Sequence, residues 1–328
     1  MRWLLLPLSF VYWIYLHLRE VYLYFNPGKF LPGIVVSIGN IEVGGTGKTP
    51  VVQALCAELS QKGKRVIVLT RGYKSNLKSQ EMAILFGGRV IYGKKDLANA
   101  DEPMMLSSSL PNCWIVVGAK RYENAVMASS YLNFQPDFWI LDDGFQHRRI
   151  FRHFDVVLVN RLKTRLYDYI FPVGLLREPE STLKRADLIL YTRQPIGSWK
   201  NQFILSFHTG SILKVDGMKA GLQDLRRVGI VTALAHPEQF KMTVEGLGII
   251  PLSFSYRRDH EAFTAPEVEK ILNNVDQILI TEKDFWRQPE FWKTWEDRVF
   301  RVTQHANIPQ ELVDSILSLE KSFKLVKK

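Results

Sequence analysis

From Gly33 onward, short β-branched apolar runs alternate with stretches of helical period. The runs at 34–38, 65–69, 114–117, 138–141, 156–159 and 188–191 read as strands, and the stretches at 50–61 and 122–132 read as helices between them. Such alternation predicts a mostly parallel sheet with helices on both faces. The pattern changes at 203–219. Two extended runs, 203–207 and 212–215, flank Thr209-Gly210 and read as a hairpin or a paired linker. A second, shorter α/β series follows: strands at 228–232, 278–280 and 299–302, a helix near 237–247, and a last helix at about 309–325. The expected division is an N-terminal helix (1–28), a main α/β domain (29–205), linker strands (206–220), a smaller α/β domain (221–305) and a C-terminal helix (306–328).

The N-terminal stretch is crowded with Trp3, Phe10, Tyr12, Trp13, Tyr15, Tyr22, Tyr24 and Phe25. Pro7 and Ser9 interrupt its start, and His17, Arg19 and Glu20 follow. A spanning helix needs about 20 predominantly apolar residues, so this stretch is marginal as a span. Trp and Tyr favour the water–lipid boundary, which fits a helix lying in a membrane interface. A signal peptide is disfavoured because no small-x-small cleavage site follows. The competing expectation is a helix packed on the protein's own core.

Candidate chemistry gathers at the strand ends. The apolar run 34–38 is followed by Gly39-Asn40-Ile41, Glu42, Val43 and then Gly44-Gly45-Thr46-Gly47-Lys48-Thr49, with a helix beginning near Pro50. Strand, glycine loop, helix is the context of a phosphate-binding P-loop: backbone N–H groups approach phosphate oxygens and the helix dipole favours them. Lys48 would reach the β- and γ-phosphates of a nucleotide such as ATP, and the Thr49 hydroxyl would sit on Mg²⁺. The match departs from the usual pattern at Glu42, where a glycine is expected. The run 138–141 ends in Asp142-Asp143, where a metal-bridging Asp belongs; one of the two can hold Mg²⁺ directly or through water. The fold class expected is therefore α/β, a P-loop NTPase-like sheet plus a smaller C-terminal α/β domain.

Thr70-Arg71-Gly72-Tyr73, Lys120-Arg121 and Gly144-Phe145-Gln146-His147 also follow strand runs. In an open α/β sheet such positions converge on one crevice. Asp101-Glu102-Pro103 opens a helical stretch; it reads either as a helix cap or as a carboxylate base at the mouth of the crevice. Thr281-Glu282-Lys283-Asp284 is faintly like a guanine-reading motif but lacks its Asn.

Composition adds two constraints. The net charge of +10 suggests an anionic partner, and without any RNP-like, zinc-finger or basic-zipper pattern a nucleic acid is disfavoured. The two cysteines, Cys56 and Cys113, lack metal or disulfide spacing and are expected to be small buried hydrophobes.

Taken in order, Ser37-Ile38-Gly39-Asn40, the P-loop, Arg71-Gly72-Tyr73, Asp101-Glu102-Pro103, 141–147, Leu176-Arg177-Glu178-Pro179, Asp259-His260 and 281–284 resemble the tetraacyldisaccharide 4'-kinases, the inner-membrane lipid A kinases of Gram-negative bacteria. The resemblance runs from the aromatic N-terminus to about residue 285. It implies transfer of the ATP γ-phosphoryl group, with Mg²⁺, to the 4'-hydroxyl of a tetraacylated glucosamine disaccharide 1-phosphate. It also implies a chain at the cytoplasmic face of the inner membrane, and Asp101 as the base, assisted by His260. Arg71, Tyr73, Glu102, Arg121, Asp143, Gln146, His147 and Arg177 would line the acceptor site. Lys120 departs from the family, which more often has an acid there. Asp101 and His260 fall in different expected domains, so closure of a clamshell would bring them together. Two rivals lack support. A dimerising membrane ATPase would carry a second lysine where Glu42-Val43 stand. A nucleotide-gated binding protein leaves Asp101 and His260 without a joint role.

Overall fold

The computed structural model describes residues 2–72, 75–95, 97, 100–160, 169–192, 201–234, 236–258 and 261–326. The chain forms two compact units. One comprises Met1–Ala98, Leu106–Ser206 and Ala306–Lys328, the other Asn99–Met105 and Phe207–His305.

The elements of the first series are α1 (Leu6–Phe25), β1 (Ile34–Asn40), α2 (Lys48–Gln61), β2 (Val66–Thr70), β3 (Ala83–Phe86), β4 (Arg89–Gly93), α3 (Asp101–Ser109), β5 (Trp114–Val117), α4 (Arg121–Leu132), β6 (Phe138–Asp142), β7 (Phe154–Val159), β8 (Leu188–Tyr191) and β9 (Gln202–Ile204). The strands form one sheet in the order β4-β3-β5-β2-β6-β1-β7-β8-β9. Every pair from β5 to β9 is parallel, and β3 runs antiparallel to both its neighbours. All residues of β1, β2 and β6 are buried, which is why their sequences are mostly apolar rather than alternating. Alternate residues Val35, Ile67, Leu69, Trp139 and Leu141 build one core cluster with Ala125 and Ala128 of α4. The hairpin β3–β4 lies outside the sequence expectation, although its apolar runs separated by Gly87-Gly88 are a recognised hairpin signal.

The second series is β10 (Ser206–Lys214), β11 (Lys219–Ala220), β12 (Val228–Thr232), α5 (Pro237–Glu245), β13 (Ser253–Tyr256), α6 (Ala265–Leu272), β14 (Gln277–Thr281), α7 (Glu282–Arg287), α8 (Pro289–Lys293) and β15 (Val299–Asn307). Its sheet has the order β11-β10-β15-β14-β12-β13. The expected hairpin at Thr209-Gly210 is absent: β10 runs straight through it and pairs with β11 further on. Gly210 serves close approach instead of a turn, because a Cβ there would lie 2.2 Å from Thr303 Oγ1 and 2.4 Å from His305 Nε2.

The C-terminal helix, α9 (Gln310–Val326), belongs to the first unit. Lys64 Nζ pairs with Glu320 Oε2 at 2.7 Å, and the Phe323 ring meets His153 edge-on at 5.5 Å. Both cysteines are free and buried.

Candidate active site

The site in the first unit is built where parallel strands end on one edge. β1 ends at Asn40 and feeds the P-loop; α2 starts at Lys48, two residues earlier than its sequence suggests. Gly47 caps α2 in the left-handed conformation (φ 78°), without a side-chain cap, and the first turn carries no acid. The positive end of this helix therefore offers its free N–H groups to an anion. Thr46 is buried and its Oγ1 accepts from Asn40 Nδ2 at 3.1 Å, fixing the loop from within. Glu42 is buried and forms an antiparallel bridge with Leu176. That pairing explains the missing glycine: the backbone here is bonded as extended chain and has no need of a glycine conformation.

At the end of β6, Asp143 adopts φ 48°, so the chain turns at once and the alternation of faces is broken. Asp142 is buried, and its Oδ2 accepts from Thr70 Oγ1 at 3.0 Å. Asp143 pairs with Lys48 Nζ at 3.3 Å and with Arg177 Nη1 at 3.1 Å. Burial and the neighbouring Asp143 charge push the Asp142 carboxyl up, against Lys48, Arg121 and the Thr70 hydrogen bond. Asp143 is held low: Lys48 and Arg177 outweigh its burial. An anionic carboxylate that burial disfavours, beside a second one, fits a cation. Among the described residues no group of three His, Cys, Asp or Glu side chains could hold a metal. Asp142 and the Thr49 hydroxyl suit Mg²⁺, which takes one or two protein ligands and completes its shell with phosphate oxygens and water.

Three other expected residues join this edge. Arg121, the first residue of α4, is buried rather than a solvated charge, and its Nη1 donates to the Asp143 carbonyl at 3.2 Å. Gln146 Nε2 donates to the Asn40 carbonyl at 2.7 Å, tying the turn after β6 to the end of β1. The His147 imidazole is pushed down to about 3, first by burial and then by the charges of Arg121, Arg149, Arg152 and Arg71, so it is neutral at ordinary pH. Arg71 is exposed after β2.

Asp101 opens α3 and is buried, with Oδ1 accepting from the Glu102 N–H at 3.0 Å. This bond to the N–H of the next residue, in the free first turn of the helix, holds the carboxylate at the helix start. Lys283 Nζ lies 3.9 Å from Glu102 Oε1. Segment 99–105, which the expected division puts in the main α/β domain, clusters with the unit that contains 207–305. Tyr73, Asp259 and His260 lie outside the described residues. The motif at 281–284 is structural. Buried Asp284 accepts from Thr232 Oγ1 and Thr281 Oγ1, each at 2.7 Å, from Ala233 N at 3.1 Å and from Arg287 Nη1 at 3.1 Å.

Sequence reasoning missed the supports of the site. Buried Glu178 pairs with Arg19 and, at 2.6 Å, with Arg185. Nothing local signals a pair 159 positions apart. The role of Thr70 was equally silent: a threonine ending a strand gives no sign that it will hold a carboxylate 72 positions on.

A family model described as tetraacyldisaccharide-1-P 4'-kinase matches residues 1–321. A tetraacyldisaccharide 4'-kinase of Geobacter sulfurreducens is 35% identical over 265 residues, covering 76% of this chain and 73% of that one. One of Chlorobaculum parvum is 31% identical over 340 residues, covering 97% and 93%. The crystal structure of LpxK from Aquifex aeolicus in complex with ATP superposes with a TM-score of 0.80 at 30% identity, covering 97% of this chain and 99% of that one.

Proposed function

Because the chain belongs to the tetraacyldisaccharide-1-P 4'-kinase family, we propose that Lys48, Asp142, Asp143 and Arg177 are the core of its phosphoryl-transfer site. The chain is an ATP-dependent kinase that phosphorylates the 4'-hydroxyl of a tetraacyldisaccharide 1-phosphate, with ATP and Mg²⁺ as its cofactors. The observation that carries the site reading is the Lys48–Asp143–Arg177 chain of charges beside the buried, Thr70-held Asp142.

Phosphoryl transfer needs alignment and charge neutralisation more than covalent chemistry. Lys48 starts α2 with its ammonium already oriented by Asp143, so little reorganisation remains when a triphosphate arrives. Val43, Gly44, Gly45, Thr46 and Gly47 supply the loop around the phosphates. Asp142 and Thr49 would hold Mg²⁺, which when bound would neutralise charge on the phosphate oxygens. Arg177 and Arg121, both bonded to Asp143, add positive charge to the site. We assign removal of the acceptor proton to Asp101, whose carboxylate is held by the Glu102 N–H, with assistance from His260. Arg71, Tyr73, Glu102, Gln146 and neutral His147 are assigned to the acceptor. Lys48→Ala and Asp101→Ala are each expected to lower turnover at least about 100-fold. Near-normal turnover of Asp101→Ala would reduce Asp101 to a helix cap.

The second element of the proposal is a membrane surface, the cytoplasmic face of the inner membrane. On α1, Ser9, Tyr12, Leu16, Arg19 and Glu20 face the protein at helical spacing, while Phe10, Trp13, Ile14, Leu18, Val21, Tyr22 and Phe25 are exposed. No helix among the described residues is long and apolar enough to cross a membrane. An apolar stripe with aromatic rings and a polar, protein-bound underside suits a helix lying in the interface. Removal of residues 1–25 is expected to lower binding to anionic phospholipid vesicles. Unchanged binding contradicts this assignment.

A further inference from the structure

The segment 169–178 is held between α1 and the P-loop. On one side, Ser9 Oγ donates to the Ile170 carbonyl at 3.0 Å and accepts from Val173 N at 3.1 Å. Tyr12 OH donates to the Arg177 carbonyl at 2.9 Å, and Arg19 pairs with buried Glu178. On the other side, Val43 N donates to the Leu175 carbonyl and Arg177 N to the Ile41 carbonyl, both at 2.7 Å. Arg177 therefore makes three fixed contacts: its N–H to Ile41 just past β1, its carbonyl to α1, and its guanidinium to Asp143, which orients Lys48. A helix that served only as a lipid anchor has no need of hydrogen bonds aimed at this segment.

We propose that Tyr12 and Arg19 of α1 are positioning residues for phosphoryl transfer, acting through 169–178 on the P-loop and on Arg177. The inference rests on the reading of Lys48, Asp143 and Arg177 as the reaction site. Its physical content is alignment. A guanidinium and a P-loop backbone fixed from behind by α1 hold Asp143 and Lys48 in register, and small misplacements at such a site cost large factors in rate. Engagement of α1 by lipid then reaches the nucleotide site through contacts already in place, so the helix couples the membrane surface to turnover.

The test uses the full chain in detergent micelles with the acylated disaccharide acceptor and saturating ATP, so that vesicle binding does not limit the rate. Tyr12→Phe removes one hydroxyl and little else; kcat is expected to fall about 5-fold, the scale of one hydrogen bond. Arg19→Ala is expected to lower kcat at least about 10-fold, with Arg19→Lys recovering part of the loss. Vesicle sedimentation of Tyr12→Phe is expected to match the wild type. Wild-type kcat in micelles for both Tyr12→Phe and Arg19→Ala overturns the inference, as does a loss of activity seen only on vesicles and in proportion to lost binding. Lys48→Ala in the same assay separates the two levels. If it is inactive while the α1 variants turn over normally, the α1 inference alone fails; if it retains turnover, the site reading fails and the inference falls with it.

Discussion

Gly39 offers a sharp test of how the site is assembled. It is the penultimate residue of β1, and a Cβ there would lie 2.6 Å from both the Cβ and the N of Phe145. Carbon atoms in contact sit about 3.5–4.0 Å apart, so Gly39→Ala must drive the turn 143–146 away by roughly 1 Å. The obstacle is backbone and a buried Phe, not a flexible tip, so relaxation is costly: about 1–3 kcal/mol of stability for an overpacked core position. The same shift pulls Gln146 from Asn40, a contact of 2.7 Å, and Asp143 from Lys48, a contact of 3.3 Å. A displacement of about 1 Å at a reacting site can cost about 100-fold in rate, so turnover is expected to fall further than stability. Gly45→Ala is the contrast. Nothing lies within 4 Å of a Cβ at Gly45, so the unliganded protein tolerates it, while the methyl projects from the loop assigned to the phosphates. Melting temperature, turnover and KM for ATP are measured on both. Gly39→Ala should lower melting temperature and kcat together; Gly45→Ala should weaken ATP use at unchanged melting temperature. Wild-type turnover for Gly39→Ala refutes the claim that the β1–turn contact sets the site.

Two further outcomes follow from buried polar groups. His147 is neutral in the folded chain down to about pH 3 but takes its proton near 6.5 when unfolded, so acidification through that window favours the unfolded state. Urea midpoints should therefore fall more steeply from pH 6.5 downward in the wild type than in His147→Gln, and equal slopes contradict the burial of this imidazole. Asp284→Ala strips the acceptor from Thr232, Thr281, Ala233 N and Arg287 at once. Breaking a buried pair in this way costs about 3–5 kcal/mol, which hydrogen exchange in 228–232 and 277–281 should register as lost protection; retained protection contradicts the structural role of the motif.

The six strand runs of the first series were legible because central strands of a parallel sheet are buried on both faces and write themselves as continuous apolar runs. β1, β2 and β6 are buried along their whole length and are apolar except at Ser37 and at the ends that reach the site. Edge elements were harder. β13, with the sequence Ser-Phe-Ser-Tyr, is a partly exposed edge strand, and β4 is mostly exposed, so neither carries that signature. Gly210 misled because a glycine in sequence is equally a turn and a point of close approach; only the neighbouring strand tells which. At the site, Lys48, Thr49, Asp142 and Arg121 were legible from their place after strands, a consequence of topology. The pairing of Asp143 with Lys48 and Arg177, and of Glu178 with Arg19, was not. Those pairs join residues far apart in the chain, and their formation depends on the positive φ at Asp143 and on the docking of α1.

The central claim is that one cluster, anchored by Lys48 and Asp142, passes phosphate from ATP to a lipid-sugar hydroxyl. Radiolabelled ATP incubated with the purified chain, Mg²⁺ and the detergent-solubilised tetraacyldisaccharide 1-phosphate tests it most directly, with Lys48→Ala and Asp142→Asn alongside. The expected result is label in the lipid with the wild type and at least about 100-fold less with either variant. Label recovered only as free phosphate, or lipid labelled equally well by the variants, contradicts the claim.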